Sequence, residues 1–175
     1  KRNDLLVDVV WKLKEKGLKS KLLYIGNFSQ SWIQTMKKKA NTLNVIDSIY
    51  FTGFQDSKDV FKYLAVSDVF IMLETIDDRG WGGISTKSSS IASAFSAGLP
   101  IIGNKGDMTD DFFKNGENIL LVNSLDVDTI ANEVERLITD KNLMIKLRKK
   151  SKETFERELN WSAIFRKYMN VLERI

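Results

Sequence analysis

The sequence contains no cysteine, no histidine and a single proline among its 175 residues. Without cysteine it has no disulfide, no thiolate metal site and no cysteine nucleophile. Without histidine it has no imidazole ligand and no serine–histidine relay. Long apolar runs are also missing, since the most apolar stretches (22–25, 69–73 and 119–122) are far shorter than the roughly 20 residues that cross a bilayer. These absences exclude many kinds of catalytic and metal site from the chain.

The composition indicates one folded domain with a mild positive charge. Hydrophobic residues make up 43% of the chain, enough for a single core, and 27 basic against 23 acidic residues give a net charge of +4. This excess of positive charge is compatible with a phosphorylated ligand, a nucleic acid or an anionic membrane, and it does not distinguish among them. We expect one domain over residues 1–175. Because the chain begins at Lys1 and shows no signal peptide, we also expect it to be part of a longer protein.

Strand patterns alternate with helix patterns along the chain. We predict strands at 21–25, 45–51, 69–73, 100–103 and 119–122. We predict helices from Asn3 to Gly17, from Ser29 or Ser31 onward, from Asp56 or Ser57 onward, and at 87–97, 109–113, 126–139, 142–156 and 161–174, with a long loop at 74–86. This alternation predicts an α/β fold, a Rossmann-like parallel β-sheet with helices on both faces.

Candidate ligand-binding residues follow the predicted strands, because parallel α/β sheets bind ligands at the carboxyl ends of their strands. These residues are Gly26 and Asn27, Gly53 and Phe54, the segment from Glu74 onward, and 103–107. Glycine at such a place lets a ligand approach the backbone, although it also simply permits a tight turn. Phe54 is either a base-stacking residue or part of the core.

The segment from Gly82 to Ser90 has the strongest local signal. It consists of Gly82, Gly83, Ile84, Ser85, Thr86 and Lys87, followed by three serines that open a helix. Free N–H groups at a helix start favour a phosphate, and Lys87 adds a full positive charge. We predict an anion-binding loop that includes Ser88, with Ser85 or Thr86 as the helix cap. The glycine spacing matches neither a Walker A loop nor G-x-G-x-x-G.

Residues 82–102 (G-G-I-S-T-K-S-S-S-I-A-S-A-F-S-A-G-L-P-I-I) resemble the donor-site segment of retaining glycosyltransferases of family four, which have the GT-B fold. In that family a glycine-rich loop runs into a helix ending A-x-x-x-G-x-P. The resemblance extends to K-L-L-Y-I-G at 21–26, I-Y-F-T-G at 49–53, A-V-S-D-V-F-I-M at 65–72 and N-G-E-N-I-L-L-V at 115–122. It therefore spans most of the chain, in the family's order and spacing.

The resemblance implies the C-terminal, nucleotide-sugar-binding half of a GT-B enzyme, whose N-terminal acceptor domain is absent from these residues. It implies nucleobase contacts at Gly53 and Phe54, and a phosphate contact near Lys1. The sequence departs from the family at its glutamate pair, because Ser85 and Ser93 stand at those two positions. Ser93 remains a candidate for the ribose, and we expect Glu74, Asp77 or Asp78 to supply the missing sugar contact.

The implied reaction is retaining transfer of a sugar from a UDP- or GDP-sugar to a glycan or lipid-linked acceptor. Lys87 would act as the catalytic group by stabilising the departing diphosphate, with no cofactor and no metal ion. The absence of cysteine is compatible with the cytoplasm, where we expect the protein, and peripheral attachment to the inner face of the membrane stays open for the full-length protein.

Two other classes of function stay open. The first is a non-catalytic nucleotide- or phosphate-binding module with a degenerate glycosyltransferase site, which the missing glutamates favour. The second is nucleic-acid binding through the basic runs 37–39 or 146–152. Because acidic residues follow the second run on the same predicted helix, it reads more simply as a solvated helix surface, and we expect no nucleic-acid partner.

Overall fold

The computed structural model describes residues 1–173 of the chain. The helices are α1 (Leu6–Glu15), α2 (Gln30–Thr42), α3 (Ser57–Ala65), α4 (Ser89–Ser96), α5 (Val127–Thr139), α6 (Lys141–Thr154) and α7 (Trp161–Leu172). The strands are β1 (Leu22–Tyr24), β2 (Ile49–Phe51), β3 (Phe70–Met72), β4 (Ile101–Asn104) and β5 (Leu120–Val122). Each predicted strand is therefore present, and the end predicted for the last helix at Arg174 lies outside the described residues.

All the strand pairs are parallel, as the alternation of strands and helices predicts. Strand β1 pairs with β2, and β3, β4 and β5 pair in that order. The strands thus form a two-stranded and a three-stranded ladder, rather than one continuous sheet, and helices flank both. The α/β fold class is confirmed.

Two hydrophobic clusters hold the helices on the strands. The larger one joins α1 and α5 to the strands through fully buried Val7, Ile102 and Ile130. The smaller one lies under α4 around Phe95 and Ile84. Because α4 rests on this second cluster, its N-terminal end is held near the carboxyl ends of β3 and β4.

Capping side chains are found at several helix starts, and Ser29 and Asp56 are two of the predicted caps. The side chains of Ser29, Asp56 and Asp126 accept hydrogen bonds from backbone N–H groups of α2, α3 and α5. Gly17 and Gly98 have φ of +77° and +69°, the left-handed conformation expected just after a helix. No helix within residues 1–173 is long and apolar enough to cross a membrane.

Three local predictions are wrong. Residues 109–113 are not helical and contain only a turn at 111–112, and the Asp110 carboxylate binds the Thr86 N–H instead of capping a helix of its own. The predicted strand 45–51 is shorter, since Ile46–Ser48 is a 3-10 turn. Helix α4 begins after Ser88 rather than at Lys87, so neither Ser85 nor Thr86 caps it.

Candidate functional site

A cavity of about 390 Å³ opens at the carboxyl end of β3, beside the start of α4. Predicted residues Glu74, Gly83, Ser85, Lys87 and Ser88 all line it. The remaining lining residues are Lys1, Met72, Ser89 and Ser90. The structure thus brings the basic side chain of Lys87 and the acidic side chain of Glu74 into one small, polar cavity.

The N-terminus of α4 faces this cavity with its backbone N–H groups uncapped. Ser88 occupies the N-cap position, but its side chain accepts no capping hydrogen bond, and its hydroxyl lies 3.5 Å from the sulfur of Met72. The first backbone bond of the helix runs from the Ala92 N–H to the Ser88 carbonyl. The Ser88 N–H donates to the Ser85 carbonyl, so the N–H groups of Ser89, Ser90 and Ile91, with the positive end of the helix dipole, remain available to an anion.

Asp110 holds the loop that leads into α4. One of its carboxylate oxygens accepts hydrogen bonds from the Ser85 hydroxyl (3.0 Å), the Thr86 N–H (2.6 Å) and the Thr86 hydroxyl (2.8 Å). The Thr86 N–H, and then the two hydroxyls and the charge of Lys87, lower the pKa of Asp110 below its usual value. Because the Ser85 hydroxyl is bound to Asp110, the main role of Ser85 in this structure is to fix the loop.

The paired glycines Gly82 and Gly83 are required by packing within the protein. A Cβ on Gly82 would lie 2.0 Å from the Thr75 carbonyl oxygen, and one on Gly83 would lie 2.4 Å from the Thr109 hydroxyl oxygen. Both glycines also have positive φ, of +142° and +93°. Their first role is therefore to let residues 82 and 83 pass close to neighbouring segments of the chain.

Glu74 is placed by a buried asparagine. The Asn104 side chain, 1% exposed, accepts a hydrogen bond from the Glu74 N–H (2.7 Å) and donates one to the Glu74 carbonyl (3.0 Å). This pair of bonds fixes the backbone of Glu74 just after β3. Glu74 thereby lines the same cavity as Lys87.

Asp77 and Asp78 do not line the cavity. The Asp77 carboxylate accepts hydrogen bonds from the N–H groups of Arg79 (2.9 Å) and Trp81 (3.0 Å) and pairs with the Arg79 guanidinium. These contacts, led by the Trp81 N–H, lower its pKa. Asp77 therefore shapes its own loop, and Asp78 is exposed.

The other predicted site residues lie around a second, larger cleft or away from both cavities. Gly26, Phe54 and Ser93 line this cleft, which shares Lys1, Met72, Ser89 and Ser90 with the small cavity. Phe54 is 80% exposed, so it is not a core residue. Asn27, Gly53 and Thr86 line neither cavity, although Gly53 forms a bridge with Gly26.

Ile84 lies in the hydrophobic core. Its side chain is fully buried in the smaller cluster, and its N–H donates to the Asn104 carbonyl at 3.2 Å. The sequence prediction that Ile84 contacts a donor therefore needs correcting, because both its side chain and its N–H are used inside the protein.

Sequence reasoning missed the supporting roles of Asn104 and Asp110. Asn104 ends a continuous apolar strand, and an amide at that place is a recognisable signal for a residue at the binding edge of the sheet. Asp110 carried no such signal, because its partners Ser85 and Thr86 are about 25 residues away in sequence. Within residues 1–173, no group of three or more acidic residues is arranged to hold a metal ion.

Several residues of the two basic runs are paired with other groups of the chain. Lys39 bonds to Asp8, Arg148 lies 3.5 Å from Asp68, and Lys150 lies 2.8 Å from Glu153. Helix α6 also turns Leu147 and Ser151 of the second run into the core. The second run is therefore one face of an amphipathic helix.

Comparison with known families and proteins places the chain among glycosyltransferases. Residues 1–154 match the family model described as Glycosyl transferases group 1. A lipopolysaccharide core biosynthesis glycosyltransferase, LpsE of Rhizobium meliloti, is 27% identical over 137 residues, which are 78% of this chain and 37% of that protein. A GDP-mannose-dependent α-(1-6)-phosphatidylinositol monomannoside mannosyltransferase of Mycobacterium tuberculosis is 23% identical over 98% of this chain and 44% of that protein. The chain thus spans less than half the length of these relatives.

Solved structures show the same fold. Alr3699/HepE of Anabaena, solved in complex with UDP, matches 99% of this chain and 45% of its own with a TM-score of 0.77 and 15% identity. The C-terminal domain of LpcC, a glycosyl transferase group 1 family protein of Francisella tularensis, matches 90% of this chain and 78% of its own with a TM-score of 0.72 and 17% identity. These likenesses confirm the Rossmann-like architecture of a GT-B half.

Proposed function

The chain belongs to the Glycosyl transferases group 1 family, and we propose that it binds the nucleoside diphosphate of a UDP- or GDP-sugar for retaining sugar transfer to a glycan or lipid-linked acceptor. The acceptor and part of the active site would then be held by a further, N-terminal domain. Relatives and neighbours that act with GDP-mannose or bind UDP support a nucleotide-sugar donor.

The small cavity at the start of α4 carries this proposal. A diphosphate placed there meets the uncapped N–H groups of α4 and the ammonium group of Lys87, both of which stabilise negative charge. The same groups would stabilise the charge that develops on the leaving diphosphate during transfer. Lys87 is therefore assigned the catalytic role, and Gly83 and Ser88 form the wall against the phosphates.

Glu74 is the best-placed substitute for the carboxylates that Ser85 and Ser93 replace. It lines the phosphate cavity, whereas Asp77 is occupied by its own loop. A carboxylate at this edge is suited to accept hydrogen bonds from sugar hydroxyls. Gly26, Phe54 and Ser93, around the adjoining cleft, would contact the nucleoside, and the Ser93 hydroxyl already donates to the Ser89 carbonyl at 3.0 Å.

Calorimetric titration of residues 1–175 with UDP, GDP, ADP and inorganic pyrophosphate tests the phosphate site. We expect one nucleoside diphosphate to bind more tightly than pyrophosphate. Lys87→Ala should weaken the binding of that nucleotide about tenfold, because the variant loses one charge-assisted hydrogen bond. Lys38→Ala, an exposed lysine on α2, is the matched control and should change nothing. Equal binding of pyrophosphate and all nucleotides would instead support the non-catalytic phosphate-binding module.

The sugar contact is tested separately by comparing a UDP- or GDP-sugar with the bare diphosphate. Glu74→Gln should weaken the nucleotide sugar several-fold while leaving the diphosphate unchanged, because the amide keeps the shape but loses the charged acceptor. Asp78→Asn is the control, since Asp78 is exposed and outside the cavity. An equal effect of Glu74→Gln on both ligands would contradict the assignment.

A further inference from the structure

The loop between β3 and α4 contains a short antiparallel hairpin, residues 76–82. Its ends are joined by a bridge between Ile76 and Gly82. Nearer the tip, the Asp77 N–H donates a hydrogen bond to the Trp81 carbonyl at 2.9 Å. These backbone contacts fix the path of the chain, so Trp81 stands at a defined place beside the tip of the hairpin.

The hairpin is braced against the loop that follows β4. The Asp107 N–H donates to the Gly80 carbonyl at 3.1 Å, and the Met108 N–H donates to the Gly82 carbonyl at 3.0 Å. Because these bonds join backbone groups on both sides, the hairpin is held at a fixed position relative to the carboxyl end of β4.

The Trp81 side chain takes no part in this bracing. Its indole is 58% exposed, and within residues 1–173 it belongs to neither hydrophobic cluster. The hydrogen bonds of the hairpin are made by backbone groups and by Asp77, so another side chain at position 81 would leave them in place. A large exposed aromatic side chain that the fold does not require is typical of a surface that contacts a ligand.

Trp81 stands next to the phosphate cavity. Glu74 and Gly83, which lie just before and just after the hairpin, both line that cavity. Trp81 is two residues before Gly83, so their Cα atoms are at most about 7 Å apart. This separation is comparable to the width of one sugar ring.

The hairpin lies on the side of the cavity away from the nucleoside cleft. That cleft runs beside β1 and includes Gly26 and Phe54, whereas the hairpin is braced on the loop after β4. Cleft and cavity share Ser89 and Ser90, so the three features follow one another as cleft, cavity and hairpin. A nucleoside diphosphate sugar has its groups in the same order. The hairpin is therefore placed at the sugar end of the donor, where the acceptor must arrive.

On the basis of the proposed function, we propose that the indole of Trp81 binds a pyranose ring of the acceptor by stacking. The C–H groups on one face of a pyranose carry partial positive charge and pack on the negative face of an aromatic ring. The Arg79 guanidinium lies over the indole, 5.2 Å from its centroid, and its ion pair with Asp77 at 3.1 Å holds it there. Arg79 thus supports one face of the indole and leaves the opposite face for the sugar. Met108, 57% exposed on the bracing loop, extends the apolar surface beside the hairpin.

NMR spectra of the indole N–H groups of residues 1–175 give the first test. The chain has four tryptophans, and Trp81→Phe identifies the Trp81 signal. The methyl glycosides of glucose, galactose and mannose are added in turn, in the presence of UDP or GDP. At least one should shift the Trp81 signal, with the millimolar Kd expected for a single ring, and leave the Trp161 signal unchanged. If none of them shifts the Trp81 signal, the proposal is wrong.

Nucleotide-linked sugars distinguish the acceptor from the donor in the same spectra. UDP-glucose and GDP-mannose should shift the Trp81 signal no more than UDP and GDP do. A shift with the nucleotide sugars alone would mean that the indole contacts the donor sugar, and would overturn the acceptor assignment. A response to phosphatidylglycerol vesicles without a response to the glycosides would identify a membrane contact, and would overturn it as well.

Substitution of Trp81 gives the second test, with saturation-transfer NMR on the glycoside as the measurement. Trp81→Ala should weaken glycoside binding at least about fivefold, and Trp81→Phe should weaken it less, because a phenyl ring keeps part of the stacking face. Trp161→Ala is the matched control, since Trp161 is 84% exposed on α7 and should change nothing. Equal glycoside binding by the protein and Trp81→Ala would overturn the proposal.

The affinity for UDP or GDP separates this inference from the proposed function. Trp81→Ala should bind the nucleotide as the protein does, because Trp81 lines neither the cavity nor the cleft. If the nucleotide binds and the glycosides leave Trp81 unaffected, only the stacking site is wrong. If neither UDP nor GDP binds, the proposed function itself is contradicted.

Discussion

At the scale of single residues, Asp110 is the group on which the phosphate loop depends. Its pKa is lowered because it accepts hydrogen bonds from the Thr86 N–H and then from the hydroxyls of Thr86 and Ser85. A carboxyl whose pKa is depressed by folding stabilises the folded loop above its ordinary pKa of about 4, and this contribution is lost as the pH falls through the lower folded value.

We therefore expect Asp110→Ala to loosen the loop and to weaken diphosphate binding several-fold at pH 7. The measurement is hydrogen exchange at the Thr86 N–H together with calorimetric titration of the diphosphate. Asp111→Ala is the control, because Asp111 is an exposed neighbour. A carbon-detected titration that places the pKa of Asp110 at or above 4 would contradict the geometry.

Position 83 requires glycine for two reasons, the backbone conformation and the close packing of neighbouring residues. Its φ is +93°, and a Cβ would lie 2.6 Å from the Gly106 backbone nitrogen, which has little room to move. We expect Gly83→Ala to lower the free energy of unfolding by about 3 kcal/mol, from left-handed strain and overpacking together.

Gly116→Ala is the matched control for this substitution. Gly116 also has positive φ, +74°, but nothing lies within 4 Å of its Cβ position. The cost should be limited to the backbone term, about 1 kcal/mol. Urea denaturation of both variants measures the difference between their free energies of unfolding. Equal destabilisation would mean that the close approach of residues 106 and 109 to a Cβ at position 83 costs nothing.

At the scale of elements, α5 depends on an acidic cap. Asp126 accepts hydrogen bonds from the N–H and the hydroxyl of Thr129, and its pKa is lowered to about 2. Because its pKa is below the ordinary value, the stabilisation that its charge gives is complete above about pH 4 and is lost as the pH falls through about 2.

Melting curves of the protein and Asp126→Ala at several pH values test this dependence. The Tm difference should be largest near pH 6 and should shrink as the pH falls through about 2, toward the smaller difference that an uncharged cap gives. Asp126→Asn is the control, since the amide oxygen still caps α5 but does not titrate. A difference between the protein and Asp126→Ala that stays constant from pH 6 to pH 2 would refute the role of the charge.

Helix α6 shows why a basic run is a poor sign of function. In the run 146–152, Leu147 and Ser151 are fully buried, and the Ser151 hydroxyl donates to the Leu99 carbonyl at 2.6 Å. We expect Ser151→Ala to lower the free energy of unfolding by about 1–2 kcal/mol, because it leaves a buried carbonyl without its donor. Urea denaturation measures this, with Ser162→Ala, exposed on α7, as the control.

At the scale of the whole molecule, the features that depend on neighbouring residues could be predicted from the sequence. The features that depend on residues distant in the sequence could not. The five strands and most helix starts were predictable, because apolar runs and caps such as Asp126 act within a few residues. The site was predictable in part, since Lys87, Gly83, Ser88 and Glu74 follow a strand or open a helix. Three features could not be predicted: the hydrogen bonds of Asp110, the core position of Ile84 and the division of the strands into two ladders. Each depends on residues that only folding brings together.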